Sequence, residues 1–172
     1  MKSYKYVGPS DLLALIKTVS KGEKILSPDD VLEWFNNFDQ ILDNENPVIA
    51  TYIIDLNGNL LIAARHSEHV TGAGGENVLS AGEITFNIES KTVIVTEVTN
   101  QSTGYCPEPE SWQYVSEVLD KAELKHPESF GREFIFRRCN KCNALNVVKE
   151  EWYVCLECNE DLIKSWNIST ET

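Results

Sequence analysis

The chain lacks any apolar run near the roughly 18 residues that a bilayer-crossing helix needs, so no membrane partner is expected. Its start, MKSYKYVGPSDLL, lacks the continuous apolar stretch of a signal peptide; a cytoplasmic, reducing location is the expectation. There is no low-complexity tract and no internal repeat, which leaves an ordinary globular chain of 172 residues with one sizeable core and a small appendage. Positive charge is scarce: 15 Lys and Arg stand against 27 Asp and Glu, for a net charge of −12. Residues 1–130 carry 9 basic against 20 acidic side chains, whereas residues 131–166 carry 6 of each. The large N-terminal part therefore repels phosphate backbones at long range, and nucleic-acid binding is disfavoured.

What is present divides into periodic segments. Ser10 is placed to cap a first helix with Leu12, Leu13, Leu15, Ile16 and Val19 on its apolar side and Gly22 at its end. Ser27-Pro28-Asp29-Asp30 joins a cap, a proline at the first helical position and acids in the first turn. Val31, Trp34, Phe35, Phe38 and Ile41 follow at helical spacing, until residues 43–47 stop the pattern.

Strand patterns follow. Residues 48–55 and 60–65 flank Asn57-Gly58, which predicts a type I′ hairpin. Residues 84–89 alternate apolar with polar, and 92–99 return after Ser90-Lys91. A Gly-rich loop, HSEHVTGAGGENVLSAGE, joins the two hairpins. Pro109 opens a third helix with Trp112, Val115, Val118, Leu119 and Ala122 facing the sheet, and residues 133–138 give a last strand. The fold class is α+β: two helices, an antiparallel sheet of about five strands, a third helix, then the appendage. The expected divisions are an acidic domain over 1–130, a strand and cysteine-bearing module over 131–166, and a tail over 167–172.

That module reads RRCNKCNALNVVKEEWYVCLECN. Cys139-x-x-Cys142 and Cys155-x-x-Cys158, twelve residues apart, suit a tetrahedral zinc site built from two tight turns. Residues 147–148 and 152–154 read as short strands joining them. Asn143 and Asn159 stand where each turn needs a left-handed residue, usually Gly. Over about residues 136–160 the segment resembles the zinc-ribbon family, departing from it in those Asn-for-Gly positions. The resemblance implies one structural Zn2+ per chain held by Cys139, Cys142, Cys155 and Cys158, and no activity. Two disulfides or a redox dithiol are the competing readings, disfavoured in a reducing compartment. Arg137, Arg138, Lys141 and Lys149 are interleaved with Glu150, Glu151, Glu157, Glu160 and Asp161, which favours protein contact or a purely structural role over nucleic acid.

Cys106, in NQSTGYCPEPESW, has no nearby cysteine. If the strands pair as read, the loops at 66–80 and 100–108 meet at one end of the sheet, bringing His66, His69, Glu83, Tyr105 and Cys106 near one another. Three chemistries compete there. Cys106 would be a nucleophile with His66 or His69 as base; His66 and His69 would bind a second metal with Glu83 or Cys106; or the His and Glu side chains would orient a small ligand. Against the nucleophile, Pro107 and Pro109 remove amide donors while Glu108 and Glu110 add negative charge. Thr71-Gly72-Ala73-Gly74-Gly75 lets backbone approach an anion, but without the strand-turn-helix context of a nucleotide loop. Packing is the remaining reading: a buried Cys106, histidines tied to turns, and a solvated His126.

The block from HSEH through SAGEITF to NQSTGYCPEPESW, with the ribbon after it, is similar to one in uncharacterised bacterial proteins, over roughly residues 60–166. That resemblance implies no activity. The expected function is an accessory or binding protein that engages a protein or a small ligand through these loops or the ribbon. The alternative is a small hydrolase or transferase using His66, His69, Glu83, Tyr105 and Cys106. Oligomeric state is not legible.

Overall fold

Ser27 and Asp30 each accept a backbone amide where the first long helix begins. The Ser27 hydroxyl accepts the Asp30 amide at 3.4 Å, and the Asp30 carboxylate accepts the Leu26 amide at 2.8 Å. These two bonds start helix α1, Pro28–Asn37, which buries Val31 and Trp34. The computed structural model describes residues 1–37 and 47–168. Phe38, Ile41 and residues 43–46 of the expected stop lie outside them.

The first helix is a correction. Residues Ser10–Lys17 form a 3-10 helix with no buried residue and no side-chain cap; Pro9 stands at the cap position expected for Ser10. Leu13, Leu15 and Val19 are exposed, because i, i+3 eclipsing in this tighter helix does not gather the stripe an α-helix would. Gly22 runs into a strand that the sequence reading did not separate, β1 at Glu23–Ile25.

The remaining strands of the main sheet are β2 (Val48–Asp55), β3 (Leu60–Ala64), β4 (Val78–Glu89) and β5 (Thr92–Val98), in the order β1-β3-β2-β4-β5, all antiparallel. The sheet therefore has its five strands, but the fifth is β1 and not residues 133–138. Those instead give β6, Ile135–Arg138, which pairs with β7, Leu145–Val148, in a separate two-stranded sheet.

The turns separate two ways of closing a hairpin. Between β2 and β3 only Gly58 has positive φ, at 75°. The Asp55 carboxylate accepts the amides of Asn57 and Asn59, and Gly58 donates to Asp55 O. This is a type I turn followed by a left-handed glycine, not the expected I′ turn, because the aspartate holds the three-residue form. Ser90 and Lys91, by contrast, both have positive φ, the mark of a I′ turn, without a glycine to ease it.

β2 is central and buried on both faces. Ala50, Tyr52 and Ile54 pack with Ile62, Ile84, Phe86 and Val95 against α1 and α3, the latter spanning Trp112–Lys121 after a 3-10 turn at Pro109–Ser111. Ile53 and Ala81 face the other way, onto Tyr4, Ala73 and Tyr105. This is period-two alternation serving two cores.

The Gly-rich loop is shorter than expected. It contains a one-turn helix, α2 at His69–Gly72, and Val78 to Glu83 already belong to β4. Gly74 and Gly75, at φ 63° and 79°, end that helix, with Gly75 donating to Val70 O. A Cβ on Gly75 would lie 2.7 Å from Ile16 Cδ1. These glycines terminate a helix and admit the N-terminal segment, and the amides of residues 71–75 all donate to carbonyls of the same turn.

Candidate metal centre

Each Cys-x-x-Cys turn closes through the same two hydrogen bonds. Cys139 N donates to Ala144 O and Asn143 N to Cys139 O; Cys155 N donates to Glu160 O and Asn159 N to Cys155 O. Asn143 and Asn159 are left-handed, at φ 63° and 58°, as their positions demand. The first turn hangs between β6 and β7, the second beside a bridge between Val154 and Asp161. Residues 152–154, expected as a strand, contribute only that bridge.

The two turns bring the sulfurs of Cys139, Cys142, Cys155 and Cys158 within 4.8 Å of one another. Cys139 and Cys158 are 3.6 Å apart, as are Cys142 and Cys155, and none is disulfide-bonded. A tetrahedron of ~2.3 Å metal–sulfur bonds has edges of about 3.8 Å, so the set fits one ion. The Asn146 side chain donates to Cys155 Sγ at 3.5 Å and accepts the Leu156 amide, which orients one ligand from outside the set.

The sulfurs differ in charge preference. Amides of Cys142 and Lys141 bond Cys139 Sγ and lower its pKa. Desolvation works against Cys155, yet the amides of Cys158 and Glu157 and the Asn146 side chain bring it down to about 6. At Cys142 the Ala144 amide lowers the pKa, but desolvation and the neighbouring sulfurs push it up to about 12. Four crowded sulfurs resist ionising together, and a cation among them removes that conflict.

The loops at 66–80 and 100–108 do meet, since Tyr105 Oη donates to Glu76 O at 2.8 Å. His69 and Glu83 are also neighbours: His69 donates through Nε2 to Gly82 O at 2.9 Å, and burial lowers its pKa against an opposing pull from Gly82 and Glu83. Glu83 pairs with Arg65 at 3.6 Å, and His66 is exposed. Cys106 turns the other way. Its left-handed backbone, φ 48°, sends the thiol into a cluster with Phe136 and Ile168, where it contacts Thr103 O at 3.4 Å. Burial pushes that thiol up to about 12. Tyr105 and Cys106, adjacent in sequence, thus lie in different apolar clusters. His126, expected in solvent, packs edge-on against Trp112 and bonds Asp120 Oδ1 at 2.9 Å.

The junction was not foreseen. The Arg137 guanidinium, 4% exposed, donates to Glu108 Oε1 at 2.7 Å and to Lys164 O. Trp166 Nε1 donates to Cys106 O at 2.9 Å, and Asn167 exchanges two hydrogen bonds with the Arg138 backbone. Asn100 bonds both ways with Phe134. Packing continues through Ile168, which is fully buried. The available signals were Arg137 between Phe136 and Arg138, and the apolar Trp166 and Ile168 after the last cysteine.

Searched against protein-family models, curated proteins and solved structures, the chain matches none. The cysteine cluster supports a zinc-ribbon-like module; the resemblance of residues 60–166 to a bacterial family gains no support. Among the described residues no helix is long and apolar enough to cross a membrane.

Proposed function

We propose that Cys139, Cys142, Cys155 and Cys158 hold one structural zinc ion, and that the protein is a cytoplasmic binding or accessory module displaying the ribbon so formed. The observation that carries this is the mutual approach of four sulfurs from two matching turns, each closed by a left-handed asparagine. Four thiolates complete a tetrahedron and leave no coordination position for water or substrate, so the ion organises the fold. The residues raised for an enzyme are largely spoken for: His69, Tyr105 and Cys106 each contact a main-chain carbonyl. Engagement of a protein or ligand by exposed surface accords with that.

Elemental analysis of protein purified without chelator tests the metal; about one zinc per chain is expected, and zinc-free folded protein rules the site out. Alkylation of Cys106 with zinc in place tests the alternative enzyme. Labelling limited by unfolding supports the module, whereas a thiol that titrates near neutrality restores the enzyme reading.

A further inference from the structure

We propose that the groove along the outer edge of β7 receives an extended, basic peptide segment of a partner protein as an added strand. This rests on the ribbon reading and gives it a partner. The two-stranded sheet has the order β6-β7, so among the described residues no strand pairs with the outer edge of β7. Its outward amides and carbonyls are a template for another chain. Beside that edge runs a groove of about 470 Å³, with Leu145, Trp152, Val154 and Leu156 among its lining residues.

Trp152 is 66% and Leu156 76% exposed, in a chain whose other tryptophans are buried or half-buried. Large apolar side chains held in water beside an open strand edge are what peptide-binding surfaces present. A tight turn sets the position of Trp152. Trp152 N donates to Lys149 O across a turn in which Glu150 and Glu151 both adopt positive φ, at 51° and 58°. These are the marks of a type I′ turn, as at Ser90-Lys91, and the turn fixes where Trp152 leaves β7.

Charge selects the occupant. Glu150 and Glu157 line the groove against Lys149, and Glu151 adjoins it, so the rim is acidic although residues 131–166 as a whole are balanced. A second copy brings the same acidic rim to this edge and is repelled there, as is a phosphate backbone. A strand with alternating apolar and basic side chains satisfies the edge, the apolar wall and the rim together.

The test uses the full, zinc-loaded chain and a fluorescein-labelled decapeptide of alternating valine and lysine, followed by anisotropy at physiological salt. Saturable binding is expected, weakened roughly tenfold or more by Trp152→Ala and similarly by N-methylating alternate peptide amides. Leu156→Ser serves as the second variant should Trp152→Ala lose zinc. Equal binding of a glycine–lysine peptide of the same charge, indifference to both substitutions, or concentration-dependent self-association through this edge overturns the proposal. Zinc content measured on the same sample separates the two ideas: one zinc without peptide binding removes only the groove, whereas absent zinc removes the ribbon itself.

Discussion

The sheet and the cysteine-bearing ribbon reach order by different means. The sheet buries Trp34, Tyr52, Phe86 and the aliphatic side chains around them in a continuous core between strands and helices. The ribbon's own cluster has four buried side chains, two of them cysteine. Apolar burial at roughly 25 cal/mol per Å² supports the first and falls far short for the second. With the proposed ion in place, the difference teaches that a fold this size can append a module whose stability comes from coordination chemistry. The seam between them joins an apolar cluster of Cys106, Phe136 and Ile168 to polar contacts from a buried arginine, two asparagines and an indole N–H.

The comparison breaks most sharply at a ligand. Cys155→Ser should cost the ribbon its order, because structural zinc contributes on the order of 10 kcal/mol or more to small modules. Heteronuclear NMR should then show collapsed dispersion over residues 139–160 with β2–β5 signals retained. Next comes the seam. Arg137→Met leaves Glu108 without its partner and should cost about 3 kcal/mol or more in urea denaturation, whereas the double variant with Glu108→Leu should recover most of it.

A pH series sharpens the contrast from the Cys106 side. Its folded pKa, about 12, is raised above the ordinary value of 9. An unfolded chain therefore loses this proton first as pH rises. Stability from the buried thiol is fully present below pH 9 and is lost between there and about 12. In Cys106→Ala, kept zinc-loaded, that part of the alkaline loss should be absent. The smallest effect belongs to exposed His66: His66→Ala should change the unfolding free energy by less than about 0.5 kcal/mol, and a larger change would give His66 a structural role.

The four cysteines and their asparagines were legible because metal geometry acts over a few residues, and spacing alone encodes it. The hairpins were legible through alternation, as at Ile84, Phe86 and Ile88. What escaped depended on distant partners. β1 is three residues long, with only Ile25 buried against the sheet. The leucines after Ser10 suggested an α-helix, yet the segment packs as a 3-10 helix against α2. At Asn57-Gly58 the dipeptide pointed to one turn while Asp55, two residues earlier, selected another. Cys106 could not be understood without Phe136 of β6 and Ile168 after the last cysteine, which reach it from far along the chain.

Amide hydrogen exchange before and after zinc is withdrawn by a strong chelator bears most directly on the division between these regions. Protection should vanish over residues 139–160 and persist in β2, β4 and β5, returning when zinc is restored. Uniform loss across the sheet, or a ribbon that stays protected without metal, would contradict it.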